Sequence, residues 1–218
     1  MQQPSYDIFK STQQGPAKNL GNMVERHLRS PYLRPIPAHQ YAAFALLHNF
    51  VGQDVRPIII DSCCGTGLST ARLAEQFPQH FVIGIDKSQK RLSRKAPSTS
   101  SNFLLLRADV IDMWRLLRSS DLLITHHYLF FPNPWPKATQ IKRRFYAHPV
   151  FFSMATLAPY FEMRTNWQIY AEECQIAFSL LGRHATIELK NDAQYYTLFE
   201  KKYMQTLCKI FIFKSLLI

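Results

Sequence analysis

Pro57-Ile58-Ile59-Ile60-Asp61-Ser62-Cys63-Cys64-Gly65-Thr66-Gly67 is the run whose reading decides the fold. Its first four residues are continuously apolar and short, the pattern of a strand buried on both faces. From Asp61 the chain turns through two glycines, and residues 68–77 read as a helix closed by Pro78. The same unit then repeats. Residues 81–85 form a second strand ending in Asp86, residues 87–95 a helix, and 96–100 a loop. Residues 103–106 form a third strand, followed by Asp109 and a helix over 110–117, and a fourth strand lies within 121–131. Later come a helix over 143–157, a strand over 160–164, a helix over 167–181, and strands over 185–189 and 207–213. This alternation predicts an α/β fold, a mostly parallel seven-stranded sheet with helices on both faces. Such sheets bind ligands at the carboxyl ends of their strands.

Several acids fall at those ends. Asp61 precedes the turn that holds Gly65 and Gly67, Asp86 closes the second strand, and Asp109 follows the third. Glycine lets backbone approach a ligand closely. An acid after the second strand can accept both hydroxyls of a ribose, and Asp109 is placed to receive a base amino group. NAD is the obvious competitor, but its G-x-G-x-x-G fingerprint cradles pyrophosphate on a helix N-terminus. Here Thr70 stands at the third glycine position. Asp61 would repel pyrophosphate, whereas it can receive the ammonium of a methionine moiety. S-adenosylmethionine fits better. The bland alternative is that these residues are helix caps and turn formers.

Upstream, residues 1–54 form a basic, partly helical extension, and 55–218 the α/β domain. Helices are expected over 18–28 and 38–50, separated by an extended stretch fixed by Pro31, Pro35 and Pro37. Lys10, Lys18, Arg26, Arg29 and Arg34 make the extension basic. The whole chain of 218 residues carries a formal net charge of +11. That balance favours a polyanionic partner, since Lys and Arg that neutralise phosphates release counterions; solubility or one small anion is the competing account. The four cysteines, Cys63, Cys64, Cys174 and Cys208, lack zinc-knuckle spacing, and His126-His127 has no carboxylate partner nearby, so no metal site is expected. The N-terminus has no apolar signal core, and no apolar run reaches the ~18 residues of a membrane span. The expectation is a cytoplasmic protein with free thiols, monomeric or homodimeric.

Phe131-Pro132-Asn133-Pro134-Trp135-Pro136-Lys137, with Lys142-Arg143-Arg144 beyond it, is the other informative stretch. Three alternating prolines remove donors and fix φ, so this is a rigid loop after the fourth strand. Trp135 either packs beneath the loop or stacks on a base. The basic run beside the loop is expected to meet substrate phosphates. Lys87, Lys90, Arg91, Arg94 and Lys95 recur on one helical face, which reads first as a solvated surface and second as a phosphate contact.

With these motifs in hand, the chain resembles the tRNA (guanine-N7)-methyltransferase family, Rossmann-like class I enzymes that use S-adenosylmethionine. The likeness runs over about 57–203 and rests on PNPWPK, KRR, TNWxxYAEE and TLFEKK. It implies that Asp61, Cys63, Gly65, Gly67, Asp86 and Asp109 bind the cosubstrate. Cys63 occupies the family's first glycine position, so the turn must accommodate a Cβ. Asn133 stands at the position of an aspartate regarded as catalytic. Lys137, Lys142, Arg143, Arg144, Asn166, Thr197 and Glu200 match substrate-binding positions, Asn166 again replacing an aspartate. The implied partner is tRNA or another structured RNA. Two other readings follow from the amide at Asn133: an amino-group methyltransferase of the adenine type, or an RNA-binding relative that has lost catalysis.

Overall fold

Strand β1, Ile58–Ser62, is buried along its entire length and lies inside a seven-stranded sheet in a computed structural model describing residues 11–94 and 98–217. The strand order is β3-β2-β1-β4-β5-β7-β6. The other strands are β2 Phe81–Asp86, β3 Phe103–Arg107, β4 Ile124–Phe130, β5 Tyr160–Thr165, β6 His184–Leu189 and β7 Phe211–Leu216. All pairings among β1 to β5 are parallel, while β7 runs antiparallel to both β5 and β6. The predicted sheet is therefore present, with β7 the single reversed strand.

Alternation along β1 sends Ile58 and Ile60 to one face and Ile59 to the other. The first face is the larger core. It is covered by α1 (Leu20–Leu28), α2 (Ala38–Val51), α5 (Val110–Arg118), α6 (Phe151–Ala155) and α7 (Gln168–Ser179). Leu20, Val24 and Leu47 of the N-terminal extension are buried in this same core. The second face is covered by α3 (Leu68–Gln76), through Leu73 and Ala74, and by α8 (Leu198–Gln205), whose Glu200 reaches Arg164 of β5. The short α4, Gln89–Leu92, follows β2.

Four expectations are corrected. The first strand continues through Asp61 and Ser62, because both are sealed within the sheet. The helix expected over 143–157 is instead 3₁₀ turns at Ala138–Arg143 and Phe145–Ala147 followed by α6; Pro149 has no N–H and obstructs a continuous helix. The last strand starts at Phe211 rather than 207. Leu207, at φ 55, ends α8, with Cys208 N–H donating to Tyr203 O and Leu207 N–H to Met204 O. The helix expected over 87–95 shrinks to α4. Lys10, Lys95 and the Ala96-Pro97 part of the expected loop lie outside the described residues.

Candidate active site

Asp61 is fully buried near the end of β1. Its Oδ2 accepts from Ser69 Oγ at 2.6 Å and Thr70 Oγ1 at 2.7 Å, both from the first turn of α3. Its Oδ1 is buried with no hydrogen-bond partner, a costly condition for a carboxylate oxygen. Burial pushes the Asp61 pKa up to about 6, against the lowering effect of the two hydroxyl donors. Thr70, at the third glycine position, thus serves the acid directly. It fits because Gly84 on β2 has no side chain: a Cβ there would lie 2.2 Å from Thr70 Oγ1.

The turn between β1 and α3 carries left-handed backbone at Cys63 (φ 62), Gly65 (φ 63) and Gly67 (φ 78). Cys63 therefore holds a conformation that glycine adopts without strain and other residues at a cost. Burial, with Asp86 adding to it, holds the Cys63 thiol up at about 12, so it stays neutral at pH 7. Asp86 closes β2, buried, and accepts from Gly65 N–H at 3.0 Å, Ser88 N–H at 2.8 Å and the Arg91 guanidinium at 2.9 Å. Asp109 caps α5, its Oδ1 accepting from Ile111 N–H at 2.9 Å.

Across the sheet, β4 delivers the proline loop. Phe131 (φ 49) and Trp135 (φ 47) are left-handed non-glycine residues, a form that persists only where surroundings impose it. Asn133 is exposed, and its Oδ1 accepts from Trp135 N–H at 3.3 Å. The Arg143 guanidinium lies 4.8 Å from the Trp135 ring centroid, a cation–π contact at the surface. The glycine turn and the proline loop face each other over a cavity of about 430 Å³. Cys63, Gly65, Ser69, Asn133, Trp135, Arg143 and Thr197 line it, with Phe130, Phe131, Phe145 and Phe199 as aromatic wall and Lys87 and Arg91 at one side. That volume suits a small-molecule ligand.

The cavity thus brings together Cys63, Gly65, Asn133, Arg143 and Thr197 of the sequence-predicted set. Asp61 and Asp86 stand one hydrogen bond behind its lining, through Ser69 and Gly65. Gly67, Asp109, Lys137, Lys142 and Asn166 do not line it; Lys137 and Lys142 are exposed. Arg144 contradicts its expected contact with phosphate. It is fully buried, donating to Glu173 Oε2 at 2.5 Å, Gln13 Oε1 at 2.9 Å and the Trp135 carbonyl at 3.0 Å. It holds the loop from behind. Glu200 is buried too, bonded to Arg164 at 2.5 Å and to Tyr196 N–H at 2.7 Å, while Thr197 Oγ1 accepts from Glu200 N–H. The pair is a helix cap first, and only Thr197 reaches the cavity. Sequence reasoning missed the aromatic wall, although Phe130-Phe131 before the prolines was its signal. It also missed Ser69, which sits in the first turn after the glycines.

Comparison with known proteins adds to this geometry. A family model described as putative methyltransferase matches residues 55–210. A tRNA (guanine-N(7)-)-methyltransferase of Burkholderia thailandensis is 31% identical over 147 residues, covering 64% of this chain and 53% of that protein. One from Treponema pallidum subsp. pallidum is 32% identical over 126 residues, covering 55% and 50%. The chain thus spans about half the length of these relatives. An antibiotic-related methyltransferase of known structure superposes with a TM-score of 0.58 at 19% identity, over 84% of this chain and 95% of that one. A 16S rRNA methyltransferase gives 0.57 at 15% identity, over 79% and 93%. These two likenesses establish a shared fold.

Proposed function

The chain belongs to the putative methyltransferase family whose model covers residues 55–210, and on that premise we propose that it transfers a methyl group from S-adenosylmethionine to N7 of a guanine in tRNA. The observation that carries this reading is the unpartnered, buried Oδ1 of Asp61 beneath the glycine turn. It is an acceptor waiting for a cationic donor, and an amino-acid ammonium supplies one.

In this reading Asp61 accepts the methionine ammonium, the Gly65 backbone lies along the ligand, Asp86 accepts ribose hydroxyls, and Asp109 receives the adenine amino group. When bound, the cosubstrate supplies an electrophilic methyl group on a sulfonium. Guanine N7 offers a lone pair and carries no proton at neutral pH, so the chain needs no general base. Its task is alignment, worth up to ~7–11 kcal/mol in favourable systems. Because Asn133 Oδ1 already accepts from Trp135 N–H, its amide N–H groups remain for an acceptor such as guanine O6. Asn133 orients the base by donation, which an ionised carboxylate cannot do, whereas a carboxylate would offset positive charge growing on the ring. Lys137, Lys142 and Arg143, all exposed, meet the RNA backbone. Residues 55–218 form the catalytic domain and 1–54 its basic extension. We take it to be a cytoplasmic enzyme acting as monomer or homodimer; no helix among the described residues is long and apolar enough to cross a membrane.

The test is incubation with labelled S-adenosylmethionine and unmodified tRNA, then nucleoside analysis. Label in 7-methylguanosine is expected. Label in a methylated adenosine would replace this reading with amino-group transfer, and tRNA binding without label would point to a relative that has lost catalysis.

A further inference from the structure

The basic segment after β2 has no part in the function proposed above, yet it borders the cavity. Lys87, Lys90, Arg91 and Arg94 are all exposed, and residues 87–94 contain no acid. β2 and β4 flank β1 on its two sides, so Lys87 and Arg91, which follow β2, line the cavity across β1 from the loop after β4, whose own cation there is Arg143. The mouth is therefore flanked by positive charge on two sides. A single strip beside Arg143 would guide a polyanion past the site, whereas two strips seat it across the opening.

Arg91 has a second constraint. Its guanidinium lies 2.9 Å from Asp86 Oδ1, which also accepts from Ser88 N–H at 2.8 Å, while Oδ2 accepts from Gly65 N–H at 3.0 Å. A carboxylate has about four acceptor sites, so one remains, and a ribose diol needs two. Ser88 and Gly65 donate through fixed backbone. Arg91, with 49% of its side chain exposed, is the partner able to leave.

We propose that segment 87–94 is a second RNA-backbone contact on the cosubstrate side of the cavity, which Arg91 joins once ribose hydroxyls take its place on Asp86. The proposal rests on the reading of the cavity as a methyltransferase site acting on RNA. It makes cosubstrate and RNA binding mutually reinforcing: a ligand that displaces Arg91 frees a cation for phosphate, and by linkage bound RNA favours that ligand equally.

The experiment is fluorescence-anisotropy binding of a tRNA transcript over a salt series, with and without S-adenosylhomocysteine. Lys90→Ala/Arg94→Ala removes two exposed cations outside the cavity lining, and its thermal melt checks folding. The salt slope is expected to fall by about two, with affinity down on the order of tenfold. In the wild type, S-adenosylhomocysteine is expected to tighten RNA binding about fivefold or more. In Arg91→Gln that tightening vanishes while calorimetry still shows the small ligand bound. An unchanged slope in the double variant overturns the surface, and equal wild-type RNA affinity with and without the ligand overturns the role of Arg91. A wild type that binds no tRNA removes the proposed function itself, a result distinct from wild-type binding that the variants leave untouched.

Discussion

The glycine turn and the proline loop face each other over one cavity, but they are held in opposite ways. The turn is held by bonds among its own neighbours. Ser69 and Thr70 donate to Asp61 Oδ2, Gly65 N–H donates to Asp86, and two left-handed glycines give it shape, leaving Asp61 Oδ1 unpartnered. The loop borrows its rigidity from residues behind it. Arg144, buried, grips the Trp135 carbonyl and is itself gripped by Glu173, which also accepts from Tyr146 Oη at 2.5 Å, Gln13 Nε2 at 2.6 Å and Ala17 N–H at 2.8 Å. Ser11 Oγ adds a bond to the Pro136 carbonyl. The N-terminal extension thus fastens the loop, and adjacent arginines divide the work: Arg144 anchors inside while Arg143 faces the cavity from outside.

The sharpest way to break this contrast is Arg144→Ala. It leaves Glu173 charged and buried without its cation, which costs about 3–5 kcal/mol, read as a lower urea midpoint. Arg143→Ala should cost no more than about 1 kcal/mol, the loss of its stack on Trp135, while weakening tRNA binding. Equal destabilisation by the two would erase the distinction.

The turn is tested next, through pH. Asp61 titrates at about 6 in the folded chain against an ordinary value of 3.8, so between those values the native state holds more protons than the unfolded one. Stability of the free protein from this group therefore falls as pH rises from about 4 to about 6. Ligand binding needs the carboxylate and runs the other way, weakening about tenfold per unit below pH 6. The melting shift induced by S-adenosylhomocysteine should accordingly be larger at pH 7 than at pH 5. His127 opposes the first trend. It is buried between Ser62 Oγ, at 2.9 Å, and the Met154 carbonyl, and burial lowers its pKa to about 3. Its contribution is lost as pH falls from 6.5 towards 3.

Smaller effects sharpen the loop. Asn133→Asp restores a negative charge beside the purine and is expected to raise kcat up to about tenfold with little change in KM, since the charge acts on the developing cation. A lower kcat would show that donation by the amide matters more. Trp135→Leu removes the stack with Arg143, about 0.5–1 kcal/mol at an exposed site, and should weaken tRNA binding by a correspondingly small factor.

The contrast also explains what could be read from sequence. The turn was legible because its contacts are local: strand, acid, glycines and helix follow within ten or so residues, and the apolar run of β1 fixes the sheet. The extension of β1 through Asp61 was hidden because a carboxylate inside a strand is paired by hydroxyls of the next helix, a tertiary fact. The loop was legible as a loop from its prolines. Its anchoring was not, because Arg144 meets Glu173 and Gln13 far along the chain, and a basic triplet gives no sign of which member turns inward. Glu200 misled in the same way: its motif marks the site's border, while its side chain serves Arg164 and a helix cap.

The central claim is that the turn around Asp61 holds S-adenosylmethionine by its ammonium. Calorimetric titration with S-adenosylhomocysteine at pH 7.5, wild type against Asp61→Asn, tests it most directly. Asparagine keeps an acceptor for Ser69 and Thr70 but removes the charge. The account predicts saturable one-to-one binding by the wild type, weakened on the order of 10- to 100-fold in the variant, as for loss of a charge-assisted bond. No binding by the folded wild type, or equal binding by both, would contradict it.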